Sequence, residues 1–151
     1  MSDKPGLYRD LARQLASLIA GEPDRTANAA NMAALIYHGL PDLNWAGFYF
    51  AQGGELVLGP FQGQPACVRI PWGNGVCGGA ASRGASVLVP DVHEFPGHIA
   101  CDPVSRSELV VPLIEDGRVT GVLDLDSPRL ARFDEQDQAG CERLVAVFLG
   151  R

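Results

Sequence analysis

The sequence predicts an α+β domain, with a mostly antiparallel central sheet and flanking helices at the N- and C-terminal ends. Three observations carry that expectation. Apolar residues recur at helical spacing near both ends, as Leu7, Leu11, Leu15 and Leu18 and as Cys141, Leu144, Val145 and Phe148. The middle of the chain switches to short aromatic or β-branched runs separated by glycine turns. Those runs follow one another closely enough to pair as hairpins, which makes the pairing antiparallel.

Each element has its own signal. Pro5 and Gly6 precede a helix that runs to Ile19 and ends at Gly21. A second helix starts at the cap Asp24, runs to His38 and stops at Gly39 before Pro41. Leu43–Phe50 is an aromatic strand, and Gly53-Gly54 turns it into a returning strand, Glu55–Leu58. Ala66–Ile70 is a third strand. Gly73-Asn74-Gly75 opens a short small-residue helix, Val76–Arg83, and Ser86–Val89 is a fourth strand. Asp91–Ser107 is a loop of about 17 residues, a length that usually signals function. Leu109–Ile114 and Arg118–Leu125 form an apolar hairpin around Glu115-Asp116-Gly117, and a last helix begins near Asp134. The short helix and the long loop are expected to cover the sheet face away from the main helices.

Composition bounds the function. The length of 151 residues suits one domain, so a single domain over residues 1–151 is expected. Eighteen acidic against twelve basic residues leave a net charge of −6, which disfavours nucleic acid and anionic membrane as partners. The N-terminus lacks a basic, then apolar, leader pattern and no window is apolar enough to span a bilayer, so a cytoplasmic protein with reduced thiols is expected.

The four cysteines then divide by context. Cys141 lies on the apolar stripe of the last helix and reads as a core thiol. Cys77 sits near the start of the short helix, where the N-terminal dipole would favour thiolate, or where a small side chain would simply pack the helix onto the sheet. Cys67 begins a strand beside a turn, as core or as a reachable second thiol. Cys101 lies in the long polar loop between His98 and Asp102, with no packing rationale; His98 or Arg106 would supply the cation that a reactive thiol needs. The Cys and His spacings do not match a zinc site, since His98 and Cys101 are the one close pair.

Carboxylates supply a second cluster. Asp124 and Asp126 are two apart on a strand and share one face, while Leu123 and Leu125 take the other. Glu108 begins the partner strand. On their own these carboxylates read as a solvated strand end with a turn cap from Asp126 or Ser127, or as a site in which like charges repel, so that one holds a proton near neutrality, ready to bind an ammonium group or donate to an oxygen. Trp45 and Tyr49 share a face of the first strand, as core or as an apolar wall.

Several runs resemble the free methionine-R-sulfoxide reductases. They are Asn44-Trp45-Ala46-Gly47-Phe48-Tyr49, Leu58-Gly59-Pro60-Phe61-Gln62-Gly63, Pro65 to Pro71, Gly75-Val76-Cys77-Gly78, Asp91 to His93, Phe95 to Asp102, Ser105 to Glu108 and Gly121 to Ser127. The resemblance extends from about residue 24 to 149. It implies a single GAF-like domain, with helices on one face of the sheet and the site on the other. It implies reduction of free L-methionine-R-sulfoxide, with Cys101 as nucleophile, Cys67 as the first candidate to resolve its sulfenic acid and Cys77 as a second candidate or relay. Glu108, Asp124 and Asp126 would hold the amino group and polarise the sulfoxide oxygen, against a wall of Trp45 and Tyr49. Thioredoxin would reduce the resulting disulfide; no metal, flavin or nucleotide cofactor is called for, and a homodimer is expected because family members are often dimers. One departure is Gly78-Gly79-Ala80, where Gly-Thr-Ala is expected after Cys77. The competing expectation is a non-catalytic GAF sensor of a small ligand or of redox state.

Overall fold

A computed structural model describes residues 3–98 and 101–151; Ile99 and Ala100, part of the long loop read from the sequence, lie outside the described residues. The element order is α1 (Lys4–Ile19), α2 (Arg25–Gly39), β1 (Trp45–Gln52), β2 (Glu55–Gly63), β3 (Arg69–Pro71), α3 (Gly75–Arg83), β4 (Val87–Val89), β5 (Ser107–Glu115), β6 (Arg118–Ser127) and α4 (Glu135–Phe148). Between β4 and β5, Val92–Glu94 forms one 3₁₀ turn. The strands make one six-stranded sheet in the order β3-β2-β1-β6-β5-β4, with every pairing antiparallel. No helix among the described residues is long and apolar enough to cross a membrane.

Two apolar clusters lie on opposite faces of this sheet. On one, Ala46, Phe48, Leu109, Val111, Leu113, Leu123 and Leu125 meet α1, α2 and α4. On the other, Trp45, Tyr49, Val110 and Val122 meet α3 and the β2–β3 connection. Strand alternation sends neighbouring residues to opposite layers, so β1 and β6 serve both. Capping fixes the helix starts: the Asp24 side chain accepts from Ala27 N, and Asp134 forms a reciprocal capping box with Asp137. Buried Asp137 also accepts from Tyr8 Oη at 2.7 Å and Lys4 Nζ at 2.7 Å, which ties α1 to α4.

Two strand expectations need correction. β2 continues past Leu58 to Gly63, because an extra residue at Gly59-Pro60 is absorbed where the β1–β2 register shifts. Proline is admitted there because a bulge needs no ladder N–H. The expected strand Ala66–Ile70 shrinks to Arg69–Pro71, leaving Cys67 in irregular backbone. Gly47 is required where it stands: a Cβ there would lie 2.3 Å from Phe61 Cβ.

Glycines inside helices supply a test of packing. A Cβ on Gly140 of α4 would fall 2.2 Å from the Tyr8 ring, so Gly140→Ala is expected to cost about 1–3 kcal/mol by overpacking. A Cβ on Gly79 of α3 meets nothing nearer than Phe95 Cζ at 4.0 Å, so Gly79→Ala should stabilise by about 0.5–1 kcal/mol through helix propensity. Urea midpoints that move in opposite directions for the two variants are the expected result.

Candidate active site

Register places the acidic residues in one patch. Across β1, β6 and β5, Trp45 faces Asp126 and Asp126 faces Glu108; one row on, Gly47 faces Asp124 and Asp124 faces Val110. Residues directly opposite on an antiparallel pair sit about 4.5–5.5 Å apart. Glu108, Asp124 and Asp126 are all buried. α3 closes the patch from above and sets the Cys77 thiol 3.9 Å from Glu108 Oε2. These four line a cavity of about 50 Å³ together with Trp45, Tyr49, Cys101 and Ser105. That is room for a few water molecules and less than a whole amino acid.

Burial decides the charge state. Loss of water pushes the Glu108 and Asp126 carboxyls well above the usual range, and the charge on Asp124 adds to both. Asp124 rises less, because bonds from Glu108, Cys77 and Asp126 offset part of the burial cost. Of the three, Asp124 is the one whose charged form its neighbours' bonds favour. Its Oδ1 is buried with no hydrogen-bond partner among the described residues. A buried oxygen of this kind calls for a donor, and an ammonium group carries three. The Cys77 thiol is itself pushed well up by burial and by the three acids, so it is a thiol.

Two loops close the mouth. The Gln64–Val68 segment is held from below by the aromatic pair of β1: Trp45 Nε1 donates to Gln64 O at 3.1 Å, and Tyr49 Oη donates to Cys67 O at 3.0 Å. Trp45 and Tyr49 stack with ring centroids 5.9 Å apart, and Phe61 also stacks on Trp45 at 5.2 Å. Opposite, the Cys101–Arg106 segment follows the 3₁₀ turn. A disulfide between Cys67 and Cys101 joins the two loops across the cavity, with Cα atoms 5.6 Å apart. Cys77 and Cys141 are free and buried.

Seven of the eight residues singled out in the sequence line this one cavity; Cys67 does not, and joins it through its disulfide to Cys101. Three local expectations change. Cys77 stands in the first turn of α3, but burial beside three acids outweighs the helix dipole and leaves no thiolate there. Arg106 is exposed and outside the cavity. His98 lines the cavity but faces Glu108, with Nε2 4.0 Å from Oε1, and burial beside His93 lowers its affinity for a proton. His98 is therefore no standing cation for Cys101. Cys77, Glu108 and Asp124 also place ligand atoms within 4.8 Å of one another. Asn44 and Ser105 were not anticipated, although Asp102-Pro103-Val104-Ser105 has the sequence of a tight turn, with proline at its second position.

Comparison with known proteins places this architecture. The GAF domain profile matches residues 26–147, so fold and profile agree on a GAF-domain protein. An Escherichia coli protein named free methionine-R-sulfoxide reductase is 51% identical over 144 residues, 95% of this chain and 87% of its own length. The crystal structure of the Neisseria meningitidis free methionine-R-sulfoxide reductase in complex with its substrate matches with TM-score 0.94 at 49% identity, covering 98% of this chain and 89% of that one. A Burkholderia vietnamiensis structure, named provisionally as a GAF sensor protein, matches with TM-score 0.94 at 59% identity, covering 97% and 94%. The chain belongs to the free methionine-R-sulfoxide reductase family of GAF-domain proteins.

The buried acids should cost stability. Their folded pKa values are raised, so their contribution is full below the unfolded value of about 4 and is lost as pH climbs through the folded values. Asp126→Asn keeps the shape and cannot ionise. Relative to the parent it should gain on the order of 1–3 kcal/mol between pH 4 and pH 8, read from urea denaturation at several pH values. A parent that gains on the variant as pH rises would contradict the buried-acid account.

Proposed function

We propose that the protein reduces free L-methionine-R-sulfoxide to methionine by a thiol, sulfenic acid and disulfide cycle renewed by thioredoxin. The observation that carries this is the Cys67–Cys101 disulfide lying across a pocket whose floor is three buried acids. Relatives named for that activity support the choice of substrate.

In this scheme, reduction of the bridge frees Cys101 and opens the cavity. The substrate ammonium binds at Asp124, whose buried oxygen lacks a partner. Trp45 and Tyr49 face the apolar part of the substrate. Sulfur of Cys101 attacks the sulfoxide sulfur while a proton held by Glu108 or Asp126 passes to the sulfoxide oxygen. The sulfoxide S–O bond breaks and its oxygen is transferred to the Cys101 sulfur, so methionine leaves as the sulfide and Cys101 is left as the sulfenic acid. Counting the proton that Cys101 gives up, thiol plus sulfoxide become sulfenic acid plus sulfide with no net proton consumed.

The Cys67 thiol then attacks the sulfenic sulfur. A disulfide forms and the oxygen departs as water. Thioredoxin thiols reduce the bridge by exchange, which restores both cysteines and leaves thioredoxin oxidised. Cys67 is the resolving thiol because it is the one bonded to Cys101, whereas Cys77 lies under α3 as a protonated donor to the acids.

The same cleft also suits a sensor that binds a ligand without turnover, and one relative is named that way. NADPH oxidation through thioredoxin and its reductase separates the two. It should accelerate with free methionine-R-sulfoxide and not with the S epimer. Cys101→Ser should lose at least about 10³-fold in turnover. Cys141→Ala should keep it, since that thiol meets Tyr8 Oη at 3.9 Å in the helix layer. Sulfoxide binding without turnover in the parent protein would establish the sensor.

A further inference from the structure

Asn44 stands immediately before β1 and touches both halves of the site. Its backbone N–H donates to Asp126 O at 3.0 Å, at the end of the acidic strand. Its side-chain Nδ2 donates to Asp102 Oδ2 at 3.0 Å and to Ser105 Oγ at 2.9 Å, in the segment that carries Cys101. That segment is tightly turned: Asp102 Oδ1 accepts from Val104 N at 3.0 Å, and Ser105 N donates to Asp102 O at 3.2 Å. Arg106 N donates to Ser127 O at 2.7 Å, fastening its far end to β6.

The choice of residue is informative. An amide nitrogen has two hydrogens, and both are used. The price is Oδ1, which is buried with no partner among the described residues. A residue present only to fill space would be apolar and would avoid that penalty of about 1–3 kcal/mol. What an apolar residue cannot supply is two donors on one atom, aimed at two points of the Cys101 segment.

We infer that Asn44 is a positioning residue that fixes the Cys101 segment against the acidic strand, and so sets the placement of the nucleophile over the carboxyl groups. It does not line the cavity, so it acts through Asp102 and Ser105 and not on substrate. The inference rests on the reductase proposal for its consequence in turnover, but the mooring itself is independent of it.

A swap tests this. Asn44→Asp removes both donors and sets a carboxylate against Asp102; Asp102→Asn leaves one acceptor oxygen for the two donors, Asn44 Nδ2 and Val104 N. The double variant restores an amide-to-carboxylate bond in the opposite sense, and Ser105 Oγ–H then has an acceptor at position 44. Two rates are measured on the reduced proteins. One is single-turnover methionine formation from the R-sulfoxide. The other is closure of the Cys67–Cys101 bridge by hydrogen peroxide, in which two thiols and one peroxide give a disulfide and two waters. Each single variant should be about 10–100-fold slower in both rates, with KM for the sulfoxide held, and the swap should recover most of the loss. Asn44→Ala serves if Asn44→Asp fails to fold, with the same slowing expected. A swap no faster than either single variant overturns the inference, as does a single variant that loses stability yet closes the bridge at the parent rate. If the parent closes the bridge and the swap pattern holds, but no sulfoxide is reduced, the mooring stands and the reductase proposal falls.

Discussion

Three carboxyl groups buried side by side on one sheet face are the constraint on which the rest of the structure depends. Glu108, Asp124 and Asp126 cannot all be charged without water, and burial pushes all three toward the protonated form, Asp124 least. The register of β5 against β6 sets them together, and the alternation of β6 puts Leu123 and Leu125 under the opposite helix layer. Moving the acids would mean moving the core. The cost of burying them is spread over the whole domain. Helices α1, α2 and α4 hold the back of the sheet, and α3 seals the front with a protonated thiol. A patch so costly to bury has little use as a structural device, and under the proposed function it stores protons and an unmet acceptor beside the Cys101 sulfur.

The two loops at the mouth answer to the same patch from opposite sides. Trp45 and Tyr49 rise from the strand next to the acids, and their polar tips hold the loop of Cys67. Asn44, one residue earlier, holds the segment of Cys101. Three nearly consecutive residues of β1 and its approach therefore fasten both partners of the disulfide. The bridge closes where two independently moored loops meet, which suits the redox cycle proposed for it.

Much of this was legible in the sequence. The helix stripes and hairpins gave the α+β layering, and the two-residue spacing of Asp124 and Asp126 put them on one face. Cysteine context separated Cys141 from the rest. The length of β2 was obscured because Gly59-Pro60 reads as a break, whereas the sheet absorbs it as a bulge. The charge environment of Cys101 and Cys77 was also hidden, since nearness in sequence said nothing of which side chains would face each other. His98 lies three residues from Cys101 yet faces Glu108, and Cys77 gains its acidic neighbours from strands thirty and more residues away. Asn44 was hidden for the same reason: its bonds to Asp102 and Ser105 span 58 and 61 residues.

The central claim is that one substrate molecule converts the reduced pocket into the Cys67–Cys101 form. Reduced protein mixed anaerobically with one equivalent of free methionine-R-sulfoxide, quenched with acid and alkylated, can be mapped by peptide mass. The account predicts one methionine released per Cys67–Cys101 bridge formed, with Cys77 and Cys141 recovered as alkylated thiols. A bridge between Cys77 and Cys101 in its place, or sulfoxide left unchanged with all four cysteines alkylated, would contradict it.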